Sequence, residues 1–278
     1  MDIKKIGVIG HGLMGRGIIH TFAACGFTVI GVKRRENDRR FSDYLRNELE
    51  KGRITPKEHG EILSRVEVTS DIEKVADCRI VIECINEIIK YKTDLFAKLD
   101  KICSQETIFA SNTSSIPIGK LGSCTNRHDR VIGLHFMSPT TIMKLVEIIE
   151  SMETSDETLK TAIDITEAIG KTPVVVKDFP GFVSSRLGAS IINEAIHILM
   201  QGVTDAKSVD QIAQLGLNLP MGPLRLADNI GLDVVLNTID SLYRNYGDSK
   251  YRVPALLRVM VETGYLGKKT GRGFYSYG

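Results

Sequence analysis

The sequence predicts a doubly wound, mostly parallel α/β sheet followed by an all-helical domain. Three observations predict it. A glycine-rich turn joins an apolar strand to an apolar helix at the N-terminus, strand-like and helical segments alternate through the first two thirds of the chain, and strand signals stop beyond Pro180–Gly181. The expected boundaries are a sheet domain at 1–180 and a helical domain at 181–278, and 278 residues suffice for one large or two moderate cores.

The first element is read from Ile6–Gly17, IGVIGHGLMGRG. Ile6, Val8 and Ile9 form a buried strand pattern, Met14–Ala24 a helix ending near Gly26, and Phe27–Val32 a second strand. Between them, Gly10 permits a tight turn, Gly12 lets the backbone approach a ligand, and Gly15 lets the helix pack on the strand. The amides at Leu13 and Met14 then face an anion, so this Rossmann-type turn is expected to cradle a dinucleotide pyrophosphate. An ordinary strand, turn and helix is the bland alternative, and the flanking strands weigh against it.

At the end of the second strand a carboxylate commonly accepts hydrogen bonds from the adenosine ribose. This chain has Lys33, Arg34 and Arg35 there. Cationic groups donate charge-assisted hydrogen bonds to a 2′-phosphate, so NADP is favoured over NAD; a solvated basic turn is the competing reading. Next comes a charged helical stretch, Phe41–Arg65, interrupted near Gly52–Pro56 and read as a hairpin insertion at about 41–65. Val66–Thr69, Arg79–Ile85, Thr107–Ala110, Val131–Phe136, Leu145–Ile149 and Pro173–Val176 are expected strands, with helical spacing around Tyr91–Ile102 and Glu157–Ile169. Val183, Leu187, Ile191, Ile192, Ala195 and Leu199 open the helical domain.

Composition narrows the partners. Net charge is +2 with both signs interspersed, so no electrostatic footprint points to nucleic acid or an anionic membrane. No leader and no apolar run of about 18 residues is evident, and a cytoplasmic enzyme is expected. Cys25, Cys78, Cys84, Cys103 and Cys124 lack a CxxC spacing and read as reduced, mostly buried thiols, with no metal site. A small molecule is the expected partner.

Catalytic candidates come from the middle of the chain. His135 ends one strand and Glu147 lies in the next, so a hairpin-like return brings a carboxylate to an imidazole, an arrangement suited to acid–base work. Taken alone, a histidine at a strand end is more often structural, and the Glu147 side chain is equally compatible with a solvent-facing position.

Seven motifs in order resemble the L-3-hydroxyacyl-CoA dehydrogenase family, and more narrowly its short bacterial 3-hydroxybutyryl-CoA dehydrogenase branch. They are IGVIGHGLMGRGI, IFASNTSSI at 108–116, VIGLHFMSP at 131–139, MKLVEII at 143–149, DFPGFV at 178–183, MGPLRLADNIGLD at 221–233 and GYLGKKTGRGFY at 264–275. The resemblance implies NAD(P)-dependent interconversion of 3-hydroxyacyl and 3-ketoacyl thioesters. It makes His135 the base, Glu147 its orienting carboxylate and Ser114 a substrate-positioning hydroxyl. It carries cofactor contacts to Gly10, Gly12, Gly15, Glu87, Lys92 and Lys269. It also implies a CoA-facing hairpin bearing Lys51, Arg53 and Lys57, and a homodimer built by the helical domain.

Three positions depart from the family pattern. Lys33 stands where the family has its ribose-binding Asp, Ser138 replaces an Asn near the nicotinamide, and Ser185 replaces the Asn that completes the substrate-positioning set. Serine is shorter and lacks the amide's paired donor and acceptor. The departures leave open an acyl group tethered to a carrier protein, a free hydroxy acid such as gulonate, or a weakly catalytic nucleotide-binding relative.

Overall fold

The computed structural model describes residues 3–278. It divides into two compact units, Met1–Phe179 and Pro180–Gly278. The first contains strands β1 (Lys5–Ile9), β2 (Thr28–Val32), β3 (Val66–Thr69), β4 (Ile80–Glu83), β5 (Ile108–Ser111), β6 (Val131–Phe136), β7 (Leu145–Glu150) and β8 (Thr172–Lys177). Its helices are α1 (Leu13–Ala24), α2 (Arg40–Glu50), α3 (Pro56–Ser64), α4 (Ile89–Ile102), α5 (Ile118–Gly122) and α6 (Asp156–Ala168). The strands form one sheet in the order β3-β2-β1-β4-β5-β6-β7-β8. All pairs are parallel except β6 with β7.

That order places the topological switch between β1 and β4, where ligands of such sheets bind beyond the carboxyl ends of the strands. The central strands read IGVI, IVIE and IFAS because both of their faces are covered; Ile6, Val8, Ile80, Ile82, Ile108 and Ala110 are fully buried. β8 is an edge strand, which is why it tolerates Pro173 and leaves Val174 and Val175 exposed. The expected strand at 79–85 is shorter in the structure. The Glu83 carboxylate accepts the Ile85 amide at 2.6 Å and turns the chain out of the ladder.

The insertion is the α2–α3 hairpin. Thr55 and Glu58 form a reciprocal capping box, Pro56 occupies the first turn of α3, and Phe41, Leu45 and Ile62 bury the apolar side. The thiols follow no single pattern: Cys78 and Cys103 are buried, Cys84 and Cys124 half-buried, and Cys25 exposed, all unpaired. Burial fails at Cys25 because it caps α1 where that helix reaches the surface.

The second unit consists of α7 (Ser184–Met200), α8 (Ala206–Gly216), α9 (Pro223–Ile230), α10 (Leu232–Tyr246) and α11 (Ala255–Glu262) around a core that includes Ile192, Ile196, Leu224, Leu232, Ile239 and Leu257. Two buried carboxylates fasten its C-terminal tail. Asp228 accepts the amides of Phe274 and Tyr275 at 3.0 and 2.9 Å, and Asp210 accepts the Leu224 and Arg225 amides and the Tyr275 hydroxyl. The motifs at 221–233 and 264–275 therefore do folding work in this unit. No helix among the described residues is long and apolar enough to cross a membrane, and no cluster of three or more metal-ligating side chains occurs among them.

Candidate active site

The glycine turn is built by exclusion of side chains. Gly10 has φ +110°, and a Cβ there would sit 2.6 Å from the Cys84 carbonyl oxygen; a Cβ on Gly15 would overlap the Gly10 carbonyl. Gly12, at the N-cap of α1, faces open space. α1 has no side-chain cap and no acidic residue in its first turn, so its leading N–H groups remain for an anion. Leu13 is 64% exposed beside them, whereas Met14 packs on the core. Together these residues fit a dinucleotide pyrophosphate.

Beyond β2 the chain turns through the basic run. The Lys33 ammonium donates to the carbonyls of Glu36 and Asp38, while Arg34 and Arg35 are exposed. The Asp38 carboxylate is gripped by Arg40, whose hydrogen bonds hold it far below the usual carboxylate range, to about 2. A cleft of about 440 Å³ opens here between Lys33, Asp38, Phe41 and Leu63.

A buried polar chain links the ends of β4 and β5. Lys92 and Glu83 are 1% and 0% exposed, and the ammonium donates to both Glu83 oxygens at 2.8 Å and pairs with Glu87 at 3.0 Å. Ser111 donates to Glu83 at 2.6 Å. Glu87 in turn accepts from the Thr113 hydroxyl, the Ser114 amide at 3.1 Å and the Ser115 hydroxyl at 3.0 Å. Burial pushes the Glu87 carboxyl up, but the Lys92 charge and the three hydroxyl and ammonium donors outweigh it and hold it below its ordinary value. Burial pulls Lys92 down, and Glu83 and Glu87 together raise it above the ordinary lysine value. The loop that carries Ser114 is thus positioned by Glu87, and Glu87 by Lys92. Sequence reasoning missed Glu83; its signal is an acid at the end of an otherwise apolar central strand, IVIE.

The register of the one antiparallel pair sets His135 directly opposite Glu147. Their side chains share a face, and Nδ1 meets Oε2 at 2.8 Å with the two side chains 11% and 2% exposed. A carboxylate only accepts, so Nδ1 carries the proton and donates, which fixes the tautomer. Asn112, from the loop after β5, accepts the Phe136 amide at 2.9 Å and braces the strand end. Ser138 is exposed in the following turn, ahead of a cis peptide to Pro139. Thr140 of the same turn packs on Gly17 so closely that a Cβ there would overlap it, which joins the His135 strand end to α1.

Comparison with known proteins matches residues 5–179 to the NAD binding domain of 3-hydroxyacyl-CoA dehydrogenase and residues 181–277 to the C-terminal domain of the same enzyme family. The chain belongs to the 3-hydroxyacyl-CoA dehydrogenase family. It is 46% identical to a probable 3-hydroxybutyryl-CoA dehydrogenase of Bacillus subtilis, covering 100% of this chain and 98% of the relative. A 3-hydroxybutyryl-CoA dehydrogenase of Clostridioides difficile is 42% identical over 98% of this chain and 99% of that one. The crystal structure of (S)-3-hydroxybutyryl-CoA dehydrogenase from Ralstonia eutropha superposes with a TM-score of 0.94 at 38% identity, covering 100% of both chains.

The remaining candidates of this family member lie apart from the strand ends or in the second unit. On the hairpin, Arg53 pairs with the buried Glu48 at 2.9 Å, Lys57 approaches Glu61 at 3.9 Å, and Lys51 is exposed. A cleft of about 640 Å³ runs between α1, the hairpin and the 141–144 turn, with His20, Arg53, Thr141 and Lys144 in its walls. Ser185 is half-buried in the first turn of α7. Lys269 pairs with Asp233 within the helical unit.

Proposed function

We propose that this chain interconverts short 3-hydroxyacyl-CoA and 3-ketoacyl-CoA thioesters with a nicotinamide dinucleotide, with NADP(H) preferred. The observation that carries the reading is the His135–Glu147 pair, held by strand register at the end of the same sheet whose switch point bears the glycine turn. The cofactor supplies a hydride acceptor or donor. His135 supplies the proton traffic: with Nδ1 committed to Glu147, its Nε2 takes the hydroxyl proton in oxidation and returns it in reduction. Glu147 keeps the tautomer and stabilises the imidazolium. The Ser114 hydroxyl, on the loop braced by Glu87, positions the acyl oxygen; Ser185 is assigned to substrate by the family resemblance alone.

The preference for NADP(H) is supported by Lys33, Arg34 and Arg35 where an acid would otherwise meet the ribose. Lys51, Arg53 and Lys57 are assigned to the CoA phosphates. The homodimer is assigned to the helical unit, where Leu187 and Ile191 of α7 and Ile212 and Leu215 of α8 are exposed apolar residues at helical spacing. A second reading, in which the substrate carries an extra polar group or a protein carrier, is favoured by the serines at 138 and 185.

The test is NAD(P)H oxidation against acetoacetyl-CoA, a carrier-protein-bound ketoacyl group and free keto acids. Turnover highest on acetoacetyl-CoA supports the first reading, highest turnover on either of the others selects the second, and none on any of them rejects catalysis of this kind.

A further inference from the structure

The chemistry above leaves one buried polar group of the glycine turn unused. His11 is 2% exposed, and neither of its ring nitrogens makes a hydrogen bond. Its imidazole lies against Gly31 of β2, where an added Cβ would stand 2.8 Å from Nε2 and 2.9 Å from Cδ1 of Ile19. Phe41 of α2 closes the other side, with ring centroids 6.4 Å apart. Gly31 sits in regular ladder between Val8 and Val68 and is not among the positive-φ glycines. Its missing side chain therefore answers to close packing, the usual meaning of glycine inside a strand.

The turn has one backbone tether to β2, the Gly10 amide to the Val32 carbonyl at 2.9 Å. The His11 ring is a second, one residue further on. Charged groups face the ring from the turn after β2 and from α2. Burial dominates and holds His11 below its ordinary value of 6.5; Asp38 and the Gly31 main chain favour the imidazolium, whereas Arg40 and Lys33 oppose it. Ile19 of α1 borders the same space over Gly31. The ring is neutral at neutral pH, and acid places a charge where burial outweighs the groups that favour it.

We propose that His11 and Gly31 form a matched knob and hole that sets the glycine turn against β2, making His11 a positioning residue for dinucleotide binding whose protonation loosens the turn. This rests on the reading of that turn as the dinucleotide site. Overfilling the socket, emptying it, and moving its volume from one side to the other are then distinguishable operations.

The experiment titrates NADH fluorescence on the full chain and on Gly31→Val, His11→Ala and the double variant; NADH is the probe because it has no 2′-phosphate to titrate. Gly31→Val is expected to weaken NADH binding about tenfold or more, because an overpacked site cannot collapse. The double variant is expected to return to within about threefold of the parent, the non-additivity of residues in contact. Parent affinity is expected to hold above pH 7 and to fall as pH drops toward 5, while the double variant stays flat. Parent-like binding by Gly31→Val, or a double variant no better than Gly31→Val, overturns the knob and hole; equal pH slopes overturn the protonation step. If Gly31→Val does not fold by circular dichroism, a folded, NADH-binding double variant is the expected result, and an unfolded or non-binding one overturns the proposal. A parent chain that binds no NADH at pH 7 defeats the dinucleotide reading itself.

Discussion

The two halves of the sheet's working edge are made by different means. At β1 and β2 the candidate site is mostly main chain and absent side chains: Gly10, Gly12, Gly15 and an uncapped helix end. At β4 to β7 it is wired by side chains, through Ser111, Glu83, Lys92 and Glu87 to the Ser114 loop, and through Glu147 to His135. A site made of backbone does not depend on the chemistry of its outward residues. A wired site transmits each loss to the next group. The comparison predicts that single substitutions on the wired side separate chemistry from binding, whereas those near β2 shift affinity.

The largest effect is expected at His135→Gln. Loss of acid–base help typically costs about 10²–10⁴ in rate, while NAD(P)H affinity is expected to stay within about threefold because the glycine turn does not use the imidazole. Stopped-flow hydride transfer beside cofactor titration checks both; a parallel loss of affinity would break the division between the halves.

Next is Lys92→Met, which leaves Glu83 and Glu87 without their shared cation. An unpaired buried charge costs about 3–5 kcal/mol, enough to lower Tm by roughly 10 °C in a unit of this size. Calorimetry measures it. Little change in Tm would mean that the polar chain does not hold the loop.

Smaller is the effect of Lys33→Asp on the backbone side. One charge-assisted contact is worth about 1.5–3 kcal/mol, so the variant is expected to move the NADPH to NADH affinity ratio tenfold or more toward NADH. Equal affinities of the parent for both cofactors would remove the basis of the NADP assignment.

The smallest effect is a difference in acid response, read by amide shifts in NMR. Glu87 is held below its ordinary 4.5, so the stability it contributes is present above that value and is lost as pH falls through its lowered pKa. Asp38 follows the same sign from 3.8 but persists to about 2. The Ser114 amide, which bonds Glu87, is therefore expected to keep its shift through pH 4.5 and to move only below it, and the Arg40 amide, which bonds Asp38 at 3.0 Å, to keep its shift until about 2. Movement of the Ser114 amide at or above pH 4.5 would contradict the wiring.

Legibility from sequence follows the same division. The glycine turn was readable because backbone constraints leave residue-type signatures at fixed spacing, and His135 with Glu147 because a short return between strands limits their registers. Glu83 was not readable, since a carboxylate closing an apolar strand looks like the start of a loop until its lysine arrives from the following helix. Lys92 was assigned to the cofactor, yet its ammonium is spent on two carboxylates, a partnership that depends on the helix's rotation about the sheet. His11 escaped for the converse reason: as the variable residue between two glycines it carried no expected role, and only the hole at Gly31 gives it one.

The register of β6 and β7 bears on how this enzyme can change over time. Side chains alternate faces along a strand, so inserting or deleting one residue within β6 or β7 would shift the pairing and swing His135 or Glu147 to the opposite face of the sheet. The two strands are thereby closed to length variation, whereas the 137–144 turn that joins them can absorb a change in length. Descendants of this chain that keep the chemistry can vary the 137–144 turn but not the lengths of the two strands beside it, and a library for altered specificity is best built in that turn.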